Sequence, residues 1–507
     1  MKKQLLFLLM LMPMVASADP VAVAGLYFNL DRGTKTAQVT FNEPQRPNAY
    51  KGDIVVPPTI IYNGVKYTVT SIDGYAFLDC YNITSISIPN TVTEINYDAF
   101  RNCTSLTSVE IPNSVTFIGS GAFEGCTGLT SITIPNSVTF LGVRAFDACT
   151  GLTSIFIPKS VTTIQGVFLE LCSNITSIEV ESGNPVYDSR NGCNAIINTS
   201  TNCLIQGCKN STIPNGVRSI GGSAFENCSG LTSITIPPTV ETIGLSAFSS
   251  SGLTSVVIPD GVTTIQSRAF EYCKQLTSVV FPNSVTTIED HICNGCTSLS
   301  SVTIPKSVTH IKNDAFSGCS ALTSFTIPSG VTTLGYWIWS KCENLTDVYC
   351  FADSIPFRDI PSYRMFSLAT IKNATLHVPS TSLELYKEAP EWCEFGTIVT
   401  LNGKCSTPTI TLVENGKVNV KCDMEGAKCV TSITSSNAVP LSDGDISLNT
   451  PLTVYTVKAY ATAEGYYDSD IATARFVWER TDGDMDGNGR LEIGDVTRII
   501  NTILNSK

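Results

Sequence analysis

A phenylalanine followed three residues later by a cysteine recurs every 23 residues through much of this 507-residue chain. The series begins with Phe77–Cys80, Phe100–Cys103, Phe123–Cys126 and Phe146–Cys149, and the whole unit is almost intact over 129–151. A fixed period of about 20–30 residues is typical of a solenoid, in which each unit forms one coil and stacks on its neighbours. Such a fold presents an extended surface and favours binding over catalysis.

The pattern within one unit predicts its local structure. In Leu-x-x-Ile-x-Ile, as at 152–157, apolar and polar residues alternate, which predicts a short strand with inward isoleucines. The following proline ends that strand, Val-Thr-x-Ile predicts a second short strand, and Ala-Phe-x-x-Cys predicts a tight corner. The expected fold class is therefore mainly β: a solenoid of 23-residue coils with capping segments, a small β-sandwich and a C-terminal loop and helix.

Breaks in the repeat predict the domain boundaries. We expect a signal peptide at 1–18, an N-terminal β cap at 19–70, the solenoid at 71–350 with an insertion at 173–210, a C-terminal cap at 351–405, a small β-sandwich at 406–479 and an acidic loop with a helix at 480–507. The insertion is expected to form a hairpin, because turn formers bound its strand-like runs 195–198 and 203–206.

The N-terminus has the pattern of a signal peptide. Lys2 and Lys3 precede an apolar run at 5–12, and the small residues 16–18 form a cleavage site. No later stretch has 18 consecutive apolar residues, so we expect no membrane span. The net charge of −12, without a basic stripe, argues against nucleic acid as a partner. We therefore expect an exported protein, secreted or held at the cell surface.

Nineteen cysteines in an exported chain raise the question of disulfide bonds. Ten share one position of the repeat, where we expect reduced, buried packing residues. These are Cys80, Cys103, Cys126, Cys149, Cys172, Cys228, Cys273, Cys296, Cys319 and Cys342. Cys293 and Cys296 match a redox motif, but Cys293 occupies a phenylalanine position, which favours packing. The better disulfide candidates, with their pairing open, are Cys193, Cys203, Cys208, Cys350, Cys393, Cys405, Cys422 and Cys429.

The residues that could carry catalysis form no recognisable arrangement, so we expect that the protein is not an enzyme. The three histidines, His291, His310 and His377, have no cysteine or acid at metal-ligand spacing. The acids of the coils vary from unit to unit without converging on one place. Motifs for a nucleophilic serine, a phosphate loop or a zinc protease are absent from the sequence.

The repeat itself indicates where a ligand could bind. One outward position of the first strand is nearly always serine, whereas the outward position two residues later varies between coils. We expect the constant column to be structural and the varying column to contact a ligand, with a merely solvated sheet face as the alternative. Outward phenylalanines on the second strand could add an apolar patch. The candidate ligand-binding residues are Glu110, Phe156, Glu179, Phe117, Phe140 and Tyr349.

The string Ile-Pro-x-Ser-Val-Thr-x-Ile-Gly-x-x-Ala-Phe-x-x-Cys resembles the repeat of the BspA-type leucine-rich repeat family of bacterial surface proteins, over about 65–350. This resemblance implies a leucine-rich-repeat solenoid. Because that family is linked to adhesion, it also implies binding of a protein or carbohydrate ligand, including one on a host surface. Residues 408–478 resemble the immunoglobulin-like or fibronectin-like module that often follows such repeats.

The acidic segment 484–495 resembles a dockerin-type calcium loop. In such loops oxygen ligands surround the ion and a glycine at the sixth position makes the turn. The resemblance implies Ca²⁺ as the cofactor. Its implied ligands are Asp484, Asp486, Asn488, the carbonyl of Arg490, Glu492 and Asp495. A complete dockerin has two such loops and this chain has one, which leaves docking to a cohesin-like partner undecided.

Two functions fit these features. The first is a non-enzymatic, exported, adhesin-like protein that recognises a protein or glycan ligand through the surface of the solenoid. The alternative is an accessory or scaffold component of an extracellular polysaccharide-degrading system, attached through the dockerin-like tail.

Overall fold

A computed structural model describes most of the chain between residues 20 and 477. The described residues are 20–41, 50–358, 362–401, 403, 407–413, 417–422, 428–433, 438–440, 445–448, 454–462 and 472–477. They are mainly β and divide into two compact units. The first unit comprises residues up to 256 together with 264–276, and the second comprises 257–263 together with residues from 277 onward. The predicted signal peptide and calcium loop lie outside the described residues.

Most coils contribute a first strand, and neighbouring first strands pair in parallel and in register, whereas residues 131–134 and 233–236 of two coils do not form a strand. Ser154 pairs with Ser177, and Ile155 with Ile178. Side chains alternate as predicted, because Ile155 and Ile157 are buried while Ser154 and Phe156 are exposed. The first strands are Asn82–Ser87, Ser108–Glu110, Ser154–Ile157, Ser177–Val180, Ser255–Val257, Ser278–Val280, Ser301–Thr303, Ser324–Ile327 and Asp347–Cys350.

A second, two-residue strand follows the proline of most coils and forms parallel ladders of its own. These strands are Glu94–Ile95, Phe117–Ile118, Phe140–Leu141, Thr163–Ile164, Ser219–Ile220, Thr242–Ile243, Thr264–Ile265, Thr287–Ile288, His310–Ile311, Thr333–Leu334 and Phe357–Arg358. With both strands of the coil present and paired at the repeat period, the predicted fold class of a mainly β solenoid is confirmed.

The phenylalanines of the repeat stack along the core of the first unit. The Phe123 ring lies between Phe100 and Phe146, with centroids 5.1 and 5.5 Å away and interplanar angles of 10° and 6°. All three side chains are fully buried. Stacked aromatic pairs add stabilisation beyond the apolar area that they bury. The 23-residue period of the sequence therefore reflects the stack, because each coil contributes one phenylalanine to it.

The corner around each phenylalanine has a special backbone. Arg144 and Ala148, two residues before and two after Phe146, have φ angles of 58° and 53° in the left-handed region. Gly142 lies against the preceding coil, where an added Cβ would be 2.3 Å from the backbone nitrogen of Ser120. Glycine at this position allows the coils to approach, and the left-handed residues turn the chain tightly enough to bring the phenylalanine inward.

The N-terminal cap consists of short strands that extend the two ladders. Its strands are Val21–Val23, Leu26–Asp31, Thr36–Thr40, Lys51–Val55, Thr59–Tyr62 and Val65–Ile72. Lys51–Val55 pairs in parallel with Asn82–Ser87, and Val65–Ile72 with Glu94–Ile95. The cap therefore covers the apolar face that the first coil would otherwise expose to water.

The insertion forms the predicted hairpin. Its elements are the strands Tyr187–Asp188, Ile196–Asn198 and Cys203–Gln206 and a 3-10 helix at Arg190–Gly192. Ile196–Asn198 pairs antiparallel with Cys203–Gln206, which then pairs in parallel with Ser219–Ile220. The last strand of the hairpin thus substitutes for a coil strand and returns the chain to the ladder.

In the second unit, irregular elements follow the last coil. They are the strands Thr375–Val378 and Thr397–Thr400, the helices Leu368–Ile371 and Leu383–Glu388 and a 3-10 helix at Trp392–Glu394. Thr375–Val378 pairs in parallel with Asp347–Cys350 and with Thr397–Thr400, so the first-strand ladder continues past the repeats. Buried Trp339 stacks on Phe366 at 4.6 Å.

Seven further strands of the second unit form two antiparallel sheets. These strands are Thr409–Val413, Lys417–Lys421, Lys428–Ile433, Ala438–Pro440, Asp445–Leu448, Val454–Thr462 and Ala472–Val477. One sheet has the order first, second, fifth, fourth, and the other has the order third, sixth, seventh. A disulfide joins Cys422 to Cys429 between the second and third strands.

Candidate functional site

The exposed face of the first strands in the first unit carries three of the predicted ligand-binding residues. Glu110, Phe156 and Glu179 are all exposed, and 44% of the surface of the Phe156 side chain is accessible. Phe156 is paired in register with Glu179 on the next strand, which places an aromatic ring beside a carboxylate. The varying column therefore forms a mixed aromatic and acidic surface, open to a ligand.

The outward phenylalanines of the second strands form a smaller patch. Phe117 and Phe140 are register partners, and their rings stack with a centroid distance of 4.8 Å and an interplanar angle of 15°. Both side chains are half-buried. Because each ring already packs on the other, this patch offers ring edges and part of one face to a ligand.

Tyr349 is placed differently from the other candidates. Only 8% of its surface is exposed, and its ring stacks on His377 at a centroid distance of 4.2 Å. His377 Nε2 lies 2.8 Å from Asp347 Oδ1, so the imidazole is fixed between a ring and a carboxylate. The sequence offered no partner for His377, because Asp347 is distant along the chain and the two meet only through the sheet register. Tyr349 thus offers little surface to a ligand.

The repeat cysteines pack as predicted. Most of these side chains are buried, and Cys126 and Cys149 each donate a hydrogen bond from Sγ, at 3.1 Å, to the carbonyl oxygen of the phenylalanine 26 residues earlier. Burial raises the pKa of Cys149 to about 12. Because the thiolate is the reactive form, these side chains are poor nucleophiles. The thiols of Cys293 and Cys296 are likewise buried, in agreement with a packing role.

The expected disulfides are corrected in part. Cys422 and Cys429 are bonded, but five other candidates are free thiols: Cys193, Cys203, Cys208, Cys350 and Cys393. Cys350 illustrates the reason, since its Sγ lies 3.2 Å from the hydroxyl of buried Tyr386 and fills a core position. Cys405 lies outside the described residues.

The acids of the coils do converge at one corner of the first unit, so that expectation was wrong. Glu124, Asp147 and Glu170 occupy the same position of successive coils, and the backbone N–H of Glu170 donates to Asp147 Oδ1 at 2.8 Å. Arg101 and Arg144 flank them, at 3.1 Å from Glu124 and 3.7 Å from Asp147. If the coils had been aligned in the sequence, the position two residues before each repeat cysteine would have shown this acidic column.

Burial dominates the electrostatics of the acidic column. Asp147 is 4% exposed, and burial raises its pKa to about 7, although the hydrogen bond from the backbone N–H of Glu170 opposes this rise. Burial also raises the pKa of Glu170. Among the described residues, no group of three or more histidine, cysteine or acidic side chains is arranged to hold a metal ion. The column is a pH-sensitive part of the packing.

The predicted calcium ligands, Asp484 to Asp495, lie outside the described residues. In the described part of the chain no helix is long and apolar enough to cross a bilayer.

A family model described as "BspA type Leucine rich repeat region" matches residues 70–190, 197–320 and 263–396, which is more than half of the chain. No curated protein is significantly similar to the sequence.

Several solved structures are similar to this chain. The crystal structure of the pneumococcal vaccine antigen PcpA matches with a TM-score of 0.52 at 17% identity, covering 76% of this chain and 98% of PcpA. A leucine-rich repeat protein from Bacteroides ovatus is 24% identical, with a TM-score of 0.49 over 75% of this chain and 100% of its own. A leucine rich cell surface protein from Faecalibacterium prausnitzii is 28% identical, with a TM-score of 0.44 over 66% and 95%. The likeness to PcpA shows the fold alone.

Proposed function

Since this chain belongs to the BspA-type leucine-rich repeat family, we propose that it is an exported, non-enzymatic, adhesin-like protein that binds a protein or glycan ligand. The observation that carries this proposal is the exposed varying column, in which Glu110, Phe156 and Glu179 point outward from the hydrogen-bonded strands of two separate sheets. Rigid side chains lose little entropy on binding. The raised pKa of thiols such as Cys149 supports a role without nucleophilic chemistry.

Replacing Phe156 by alanine should weaken ligand binding by about tenfold or more, because a ring with 44% of its surface exposed would lose its contact with the ligand. The full-length exported chain would first be screened on arrays of host-matrix proteins and glycans, and the dissociation constant for the strongest ligand would then be compared between variants. Glu110→Ala and Glu179→Ala should each weaken the binding of the same ligand.

Ser154→Ala is the matched control, since Ser154 is exposed on the same strand but belongs to the constant column. Its affinity should equal that of the unmodified chain. Equal affinities for Phe156→Ala and Ser154→Ala would show that this face does not bind the ligand.

The alternative function, an accessory or scaffold component of a polysaccharide-degrading system, has two supporting observations. Strand orders of first-second-fifth-fourth and third-sixth-seventh match the seven-stranded immunoglobulin-type arrangement, which supports an immunoglobulin-like module after the repeats. The acidic loop at 484–495 supplies the oxygen donors that Ca²⁺ prefers. A module of this kind followed by a calcium-stabilised tail could attach the chain to a larger assembly.

The proposed calcium site predicts that the full-length chain binds one Ca²⁺ and that Asp484→Ala together with Asp486→Ala removes this binding, because both carboxylates would be direct ligands. Isothermal titration calorimetry measures the effect. Asp482→Ala, which changes an acid just outside the loop, should leave the binding heat unchanged. Absence of calcium-dependent heat in the unmodified chain would exclude the site.

A further inference from the structure

Three aromatic residues of the second unit form an exposed cluster, which we name the aromatic platform: Tyr336, Trp337 and Tyr363. Their ring centroids are 5.0 to 5.2 Å apart. Trp337 is 43% exposed and Tyr363 46% exposed, whereas Trp339, two residues along the chain, is fully buried. The platform is therefore a surface feature and not a part of the core.

The backbone holds the platform in place. Trp337 adopts a left-handed φ of 55°, and its N–H donates to the carbonyl oxygen of Arg364 at 2.6 Å. The N–H of Tyr336 donates to Asn313 Oδ1 at 3.1 Å. The left-handed backbone of Trp337 is the one that other coils adopt at the same position, as at Arg144, so it belongs to the coil corner. These contacts fix the backbone that carries the indole and one tyrosine.

A buried carboxylate anchors the segment that carries Tyr363. Glu391 accepts hydrogen bonds from the backbone N–H groups of Met365 and Phe366, at 2.8 and 3.0 Å, and pairs with Arg358 at 3.1 Å. Arg358 in turn donates to the carbonyl oxygen of Tyr363. The backbone that carries Tyr363 is thus held by contacts that leave the ring of Tyr363 itself free of them.

The polar atoms of the platform are available to a ligand. Within the described residues no hydrogen bond engages the hydroxyl of Tyr336, the hydroxyl of Tyr363 or the indole N–H of Trp337. The nearby Arg364 is paired with Glu394 at 2.8 Å. The surface therefore combines aromatic rings with the hydrogen-bonding groups at their edges, two hydroxyls and an indole N–H, and it carries little net charge.

We propose that the aromatic platform binds a pyranose ring of a neutral glycan. One side of a pyranose presents C–H groups, which pack on the electron-rich face of an aromatic ring, and its hydroxyl groups can bond the tyrosine hydroxyls and the indole N–H. An acyl chain or a quaternary ammonium group has no hydroxyl groups with which to bond those polar atoms. This inference goes beyond the proposed function, because it assigns a ligand class to residues outside the first-strand face.

The test is affinity electrophoresis of the full-length chain in gels containing α-mannan, xylan, laminarin or pullulan. At least one of these neutral polysaccharides should retard the unmodified chain. Trp337→Ala and Tyr363→Ala should each weaken that interaction at least tenfold, and Tyr363→Phe, which keeps the ring, should weaken it less. Tyr97→Ala removes a 50% exposed tyrosine from the first unit and is the matched control, expected to behave like the unmodified chain.

A second measurement distinguishes loss of binding from poor folding of a variant. Polysaccharide binding should change the indole fluorescence of the unmodified chain, and Trp337→Phe should lose this change. Failure of all four polysaccharides to retard the chain would overturn the inference. So would unchanged retardation of Trp337→Ala. Loss of retardation with Phe156→Ala, but not with Trp337→Ala, would overturn it as well and would instead place the glycan on the first-strand face, leaving the proposed function intact.

Discussion

Replacing Phe123 by alanine is expected to lower the free energy of unfolding by about 3–5 kcal/mol. The ring is fully buried between Phe100 and Phe146, so truncation removes two stacking contacts and leaves a cavity that rigid coils on either side cannot fill. Because each coil contacts only its neighbours, the loss also weakens the coupling between them. Urea unfolding followed by circular dichroism measures the change.

Phe117→Ala is the matched control in the same coil. Phe117 is half-buried on the outward side of the second strand, where water can occupy the space that its ring leaves. We expect a loss of about 1 kcal/mol. If both substitutions cost the same, the stacked phenylalanines would not be the main source of coil stability.

Asp147→Asn is expected to stabilise the protein at pH 8 by about 2–4 kcal/mol and to leave its stability unchanged near pH 4. Burial raises the pKa of Asp147 from 3.8 to about 7, so between these values the folded state holds a proton that the unfolded state has released. Stability therefore falls as the pH rises from about 4 to about 7. Asparagine removes this loss, and its side-chain oxygen can still accept the N–H of Glu170.

The pH profile of the urea midpoint measures this effect, with Glu110→Gln as control. Glu110 is exposed, so its substitution should shift the profile little at any pH. A profile for Asp147→Asn parallel to that of the unmodified chain would contradict the raised pKa. The charged groups that face Asp147 are Glu124, Glu170 and Arg144.

The regular part of the fold could be predicted from sequence because each coil buries the same kinds of residue at the same positions. The inward isoleucines, the stacked phenylalanines and the buried cysteines all recur every 23 residues. One buried residue such as Phe123 therefore predicts the buried residue of the next coil. The exposure of Glu110, Phe156 and Glu179 followed from the alternation of a strand. The calcium loop and the immunoglobulin-like module stay predictions and proposals.

The errors arose where contacts depend on residues outside one coil. Tyr349 has the outward position of its strand, but His377 from the irregular C-terminal segment stacks on it. Cys350 looked like a disulfide candidate, but Tyr386 occupies the space beside its thiol. In both cases the partner comes from a segment without the repeat, for which the period carries no information.

By itself the sequence determined the coil, its period and which side chains face inward, because these follow from alternation and from positions repeated in every unit. The tertiary structure decided which outward residues remain accessible and that Tyr336, Trp337 and Tyr363 meet on the surface. Those outcomes depend on how neighbouring coils and the irregular C-terminal segment pack. Such packing brings together residues that are distant along the chain, and no local pattern records it.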